Sequence, residues 1–247
     1  MYSGCIARPI NFGAISSATA AVAGYEVAWA ATDQPREQAV FTASPAVIDI
    51  DLGEAADVRL AALVRTNATA WSLKGASSQA GLASAPEITG SMLAGPQMGV
   101  AALFHDTDAH THRWWRLALT GPTPLYLGRI ILADPFIPLH SFSWGQVKGR
   151  QPGLKYKVAA GGALHAEAAP QYRTWSLAYE DIRDDEYAAE LDALDAYTAG
   201  GGAVLFCPDP AATDAAKESL YGLMRIDGAT RRSLNRWRAP IQLLELT

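Results

Sequence analysis

What most constrains this chain is the way its first half switches between apolar and polar residues. Val47-Ile-Asp-Ile-Asp-Leu-Gly53 alternates cleanly, as does Val58-Arg-Leu-Ala-Ala-Leu-Val-Arg65, and Trp71-Ser-Leu-Lys74 comes after a break at Asn67. Farther on, His112-Arg-Trp-Trp-Arg-Leu-Ala-Leu119 and Leu125-Tyr-Leu-Gly-Arg-Ile-Ile-Leu132 are separated by Gly121-Pro-Thr-Pro124. A period of two sends successive side chains to opposite faces of a strand. Short strands divided by Gly, Pro, Asn and Asp, with no long helical pattern among them, predict an antiparallel β-sandwich. Gly75 to Gly99 is rich in Gly, Ala, Ser and Pro and keeps no steady period. It reads as a long loop at one end of the sandwich, where such folds often keep binding sites.

The second half reads differently. Tyr172-Arg-Thr-Trp-Ser-Leu-Ala-Tyr179 alternates as a strand, with Trp175 between Tyr172 and Tyr179 as core. Leu191, Leu194 and Tyr197 then recur at helical spacing within a helix expected from Asp184 to Ala199. Asp184 or Asp185 can cap its start, and Gly200 can supply a left-handed cap at its end. The acidic run Asp181 to Glu190 reads as a solvated helix face or an intersubunit charge. A short apolar strand, Ala203 to Phe206, is stopped by Pro208 and Pro210. Asp134-Pro135 and Pro138 end the first region, and Ser141-Phe-Ser-Trp-Gly145 opens the second, with turns expected at Gly149 to Gly153 and Gly161-Gly162. The fold class is therefore mainly β: a jelly-roll-like antiparallel sandwich over 1–139, then an α+β domain over 140–247 with a sheet or barrel and one main helix.

Composition narrows the function classes. With 49% hydrophobic residues the 247-residue chain can bury two cores. Only 18% of residues are charged and the formal net charge is -5, so no basic surface advertises nucleic-acid binding. No stretch approaches the roughly 20 apolar residues that span a bilayer. Ala14 to Ala31 is rich in small residues, but only Arg8 precedes it and Tyr25-Glu26 interrupts it, so it does not read as a secretory signal. Cys5 and Cys207 each sit in apolar surroundings and read as buried free thiols, which suits synthesis in a reducing cytoplasm. No Gly-x-Ser-x-Gly elbow, phosphate loop or dinucleotide fingerprint occurs, so no catalytic residue, cofactor or enzymatic activity is expected.

Two clusters carry chemistry. In His105-Asp-Thr-Asp-Ala-His-Thr-His112, an extended backbone would project His110 and His112 to one face, with Asp106 or Asp108 as added oxygen ligands. The spacing also fits a polar loop between strands, and no metal site is assigned to His105, His110 and His112. Trp114 and Trp115 are adjacent, so on a strand one faces the core and the other faces outward. The outward ring suits a glycan contact or a subunit contact.

Two resemblances bear on function. The Tyr172 to Tyr179 strand, the acidic helix, Gly200-Gly-Gly-Ala-Val-Leu-Phe-Cys-Pro-Asp209 and Tyr221-Gly222, in that order, resemble the C-terminal domain of siphophage-type distal and minor tail proteins. That resemblance covers roughly the last two fifths of the chain. It implies a structural component of a phage tail tip or baseplate, in the virion, made in the bacterial host cytoplasm. It further implies a homo-oligomeric, sixfold ring at the end of the tail tube, with tube and hub proteins as neighbours. Ile50-Asp-Leu-Gly53, the strand running into Asn67, and Arg113-Trp-Trp-Arg-Leu117 resemble discoidin-like and carbohydrate-binding jelly-roll modules. This implies a host-surface glycan as partner and makes host recognition the alternative function.

Overall fold

The computed structural model describes residues 4–143, 145–151, 154–158, 164–168 and 171–246. In chain order the strands are β1 (Cys5–Ala7), β2 (Ala14–Ser17), β3 (Ala39–Phe41), β4 (Ala46–Thr66), β5 (Ala70–Ala76), β6 (Ser91–Met92), β7 (Val100–Thr120) and β8 (Leu125–Ala133). They continue as β9 (Val147–Gln151), β10 (Leu154–Val158), β11 (Leu164–Ala168), β12 (Tyr172–Arg183), β13 (Val204–Cys207), β14 (Leu220–Ile226), β15 (Thr230–Ser233) and β16 (Arg236–Glu245). One sheet runs β3-β8-β4-β7-β5, with β2 on β4 and β6 on β7. A second runs β1-β13-β14-β16-β12-β9, with β15 on β16, and β10 and β11 form a separate hairpin. All pairings are antiparallel.

The long strands β4 and β7 build the sandwich by bending. Residues 46–51 of β4 pair with the C-terminal half of β7, and residues 60–64 pair with its N-terminal half and with β8. The ladder shifts between Asp51 and Ala56, and Gly53 there takes φ +85, which glycine adopts without a Cβ penalty. The expected strands Val47 to Gly53 and Val58 to Arg65 are thus one strand folded over a core. Ile48, Ile50, Leu63, Leu73, Trp115, Leu117, Leu127 and Ile130 fill that core.

The two halves of β4 are buried differently. In residues 46–52, Ala46, Ile48, Ile50 and Leu52 are buried while Val47, Asp49 and Asp51 are partly exposed. In residues 60–64 every residue is buried, because Ala61 and Leu63 face the sandwich core and Leu60, Ala62 and Val64 face the second sheet. Leu60, Ala62, Val64, Ile131 and Ala133 there meet Cys5, Ala7, Leu205, Cys207 and Tyr221. The sheets therefore stack, with the β4–β8 layer shared between two cores. A third core lies across the second sheet, where Leu191 and Leu194 of the helix pack with Trp175, Leu177, Tyr179, Phe206 and Ile241.

β1 pairs with β13 in the register Cys5 to Cys207, so the chain's first strand belongs to the second sheet. The sandwich expected over 1–139 loses its first strand to that sheet, and its own strands are inserted between β1 and the rest of it. Cys5 and Cys207 are buried and free, and they are direct cross-strand partners, which distance in sequence hid. Their mutual hydrogen bond, with burial, holds the Cys5 thiol well above its usual range.

The helix over 184–199 contains a π turn at Tyr187–Leu191. Neither aspartate caps it. The Glu186 carboxylate accepts from the Arg183 N–H at 2.9 Å, whereas Asp184 accepts from Trp237 Nε1 at 2.5 Å. The acidic run keeps the solvated face expected of it, with Asp184, Asp185 and Glu190 exposed, and its first residues are also paired within the chain: Arg231 reaches Asp184 and Arg236 reaches Asp181, while Arg232 and Arg238 reach Glu180 just before it. The left-handed residue after the helix is Gly201, at φ +89, and Gly200 stays at φ -76, so the expected cap at Gly200 falls one residue early. A Cβ on Gly202 would fall on the Tyr197 ring, so that glycine is fixed by space. Of the turn expected at Gly149 to Gly153, Gly149 to Gln151 belong to β9 and the remainder lies outside the described residues, as does the turn expected at Gly161-Gly162. Among the described residues, no helix is long and apolar enough to cross a membrane.

Candidate functional site

The outer face of β4, β7 and β5 gathers polar chemistry around one aromatic ring. On β7, Trp115, Leu117 and Leu119 point into the core, and Trp115 is fully buried. Trp114, Arg116 and Ala118 alternate outward and stay partly exposed. Cross-strand register then sets the rows: Asp49, Arg116 and Lys74 form one, and Asp51, Trp114 and Ala76 form the next. The ladder break after Asp51 frees Arg113 from strict alternation, and its guanidinium lies 5.5 Å from the Trp114 ring centroid.

Two bidentate ion pairs hold this face. Arg113 donates from Nε and Nη2 to Asp51 at 2.7 and 2.8 Å, and Arg116 donates likewise to Asp49 at 2.6 and 2.8 Å. Fork-to-fork geometry fixes the guanidinium plane as well as the charge. Hydrogen bonding to Arg113 holds the Asp51 carboxyl below the usual range, and hydrogen bonding to Arg116 does the same for Asp49. Each arginine has five N–H donors and commits two to its aspartate, so outward donors remain. The Gly75 to Gly99 segment reaches the same sheet, because Ile88 exchanges backbone hydrogen bonds with Leu73 at 2.7 and 2.8 Å and Glu87 pairs with Lys74 at 3.3 Å. A partly exposed indole ringed by preset donors and acceptors can stack on the apolar face of a sugar and bond its hydroxyls. Sequence reading marked Trp114 and missed Asp49, Asp51, Arg113 and Arg116. Their signal was opposite charges at alternate positions of strands that pair.

The histidine run is strand, where a loop was the expectation. His105, His110 and His112 all lie within β7, and each goes its own way. His110 bonds Asp106 at 3.1 Å, the His112 ring sits 5.5 Å from Trp115, and His105 Nε2 is buried without a partner. Desolvation lowers the pKa of both His105 and His112. Among the described residues, no group of three or more His, Cys, Asp or Glu side chains is placed to hold a metal ion.

No family model matches the chain, and no curated protein matches it. Solved structures similar in outline cover about half of it. One is chitosan-binding module 1 of a chitosanase/glucanase from Paenibacillus sp. IK-5, at 16% identity over 51% of this chain and 97% of that one, TM-score 0.41. Module 2 of the same enzyme, in complex with chitotriose, gives 19% identity over 51% and 98%, TM-score 0.41. The family 32 carbohydrate-binding module of C. perfringens NanJ, in complex with galactose, gives 11% identity over 52% and 99%, TM-score 0.40.

Proposed function

We propose that the chain is a non-catalytic saccharide-binding protein that reads its ligand on the Trp114 face. The observation that carries this reading is one partly exposed tryptophan beside two guanidinium groups, each locked by its own aspartate on a rigid three-strand surface. Sites on strands hold their groups more firmly than sites on loops, so little order is lost on binding. A glycan array probed with the whole chain and with Trp114→Ala tests it. Retention on a defined set of glycans, lost in the variant with an unchanged melting temperature, is the expected result. No retention, or retention indifferent to Trp114, counts against it.

A second reading gives the other sheet an assembly role in a phage tail tip within the virion, as a ring of copies beside tube and hub proteins. It is favoured by β9, which pairs only with β12 among the described residues and carries Val147 at 63% exposure. An open edge of this kind accepts a strand from a neighbour. The two readings are compatible, with the inserted sandwich displayed on the outside of the assembly. Sedimentation of the whole chain tests the assembly reading: a closed oligomer supports it, and a monomer at high concentration removes it.

A further inference from the structure

A second cleft lies where the loop before β7 meets the second sheet. Its volume is about 400 Å³, and Gln97, Met98 and Gly99 form one wall while Arg150, Tyr172, Arg173 and Lys217 form the other. Within it three cations face one carboxylate, Glu245, in a chain of net charge -5. An adjoining hollow of about 280 Å³ shares Arg150, Arg173 and Lys217 and adds the Lys148–Glu218 ion pair.

The floor of the cleft is built to last. Glu245 is 8% exposed and takes Arg173 Nε at 2.9 Å, Nη2 at 2.6 Å and the Arg173 backbone N–H at 3.0 Å. Arg173 also donates to the carbonyls of Lys217 at 2.9 Å and Ser219 at 2.7 Å. The lone carboxylate is thereby neutralised by Arg173, and Arg150 and Lys217 set the field of the opening. The loop is held over this pair at a conformational cost. Arg65 takes φ +55, the one positive φ outside glycine among the described residues, and its N–H donates to Gly99 O at 2.8 Å. A Cβ on Gly99 would meet Glu245 Oε1 at 2.8 Å and Arg173 Nη2 at 3.1 Å, so a side chain here would have to push that ion pair aside.

We propose that this cleft binds a small carboxylate-bearing saccharide. The volume fits a sugar-sized ligand, Arg150 and Lys217 address its carboxylate, and Met98, 55% exposed, with Tyr172 offers apolar surface to its ring. The cleft shares no residue with the Trp114 face, and titration of the Trp114→Ala variant separates binding in the cleft from binding at that face.

The whole chain is titrated calorimetrically with D-glucuronate, with glucose and with inorganic phosphate, at ionic strengths of about 0.01 M and about 0.15 M. Saturable binding of glucuronate, at least about tenfold tighter than glucose or phosphate and weaker at the higher salt, is expected. Arg150→Glu and Lys217→Gln, both at exposed positions, should each weaken it by about tenfold with melting temperature unchanged, and Trp114→Ala should leave it intact. Failure of glucuronate to bind at low salt, equal binding of glucose, indifference to both variants, or loss in Trp114→Ala would each overturn the proposal. Phosphate binding as tightly as glucuronate overturns its saccharide part.

Discussion

The two halves of β4 share one strand and one backbone geometry, and they live in different surroundings. Residues 46–52 bury alternate side chains and hand the others to the Trp114 face. Residues 60–64 bury all of theirs, between the sandwich core and the second sheet. The difference teaches that alternation marks a strand with one wet face, whereas a run such as Leu60-Ala-Ala-Leu-Val64 marks a strand with two dry ones. Function follows the first kind and cohesion the second.

The largest effects should break that comparison if it is wrong. In the two-faced half, Leu60→Ala and Leu63→Ala point to opposite cores, and each should cost about 2–5 kcal/mol in urea unfolding. In the one-faced half, Ile50→Ala should cost the same, and Val47→Ala, on the outer face, should stay within about 0.5 kcal/mol. A cheap Leu60→Ala beside a costly Leu63→Ala would mean that the second sheet does not rest on this layer.

A smaller effect concerns charge. Asp49 and Asp51 titrate below their unfolded value of about 3.9, so their contribution is fully present above about pH 4 and is lost as pH falls through the lower folded values. The pairs are partly exposed, so Asp49→Asn with Asp51→Asn should cost about 1 kcal/mol at pH 7. That cost should vanish in acid, while the penalty of Leu60→Ala, in a run without titratable groups, should persist. Denaturant melts of the three proteins at neutral and acid pH decide it, and a pH-independent cost for the aspartate variant would show that the pairs act through packing alone.

The smallest stability effect should belong to the residue with the largest binding effect. Trp114→Ala removes a partly exposed ring from the outer face and should change unfolding by no more than about 1 kcal/mol. Trp115→Ala, at the fully buried neighbour, should cost about 3–5 kcal/mol. Similar melting curves for the two would contradict the inward and outward assignment.

Much of this was legible in the sequence because period two is a local signal. Mainly antiparallel β structure, the helix before Gly200 and the split roles of the Trp114–Trp115 pair all follow from neighbours in the chain. What stayed hidden depends on distant partners. Leu60 to Val64 reads almost like its neighbours until a second sheet is laid on it. β1 is three residues long, and nothing near it announces β13 as its partner. The acidic run is solvated as read, but the arginines of β15 and β16 that pair with Glu180, Asp181 and Asp184 lie roughly fifty residues away, so that pairing was hidden. Gly201 in place of Gly200 is a one-residue error of the kind that three consecutive glycines invite.

The central claim is that saccharide is read by the outer face of β4 and β7. Its most direct test is an NMR titration of the whole chain, isotope-labelled, with a glycan that the array retains, following the indole N–H signals and the backbone amides. The account expects the Trp114 indole and the amides of Asp49, Asp51, Arg113 and Arg116 to shift together along one saturating curve, with the Trp115 indole still. Shifts confined to other surfaces, with the Trp114 signals unmoved at saturation, would contradict it.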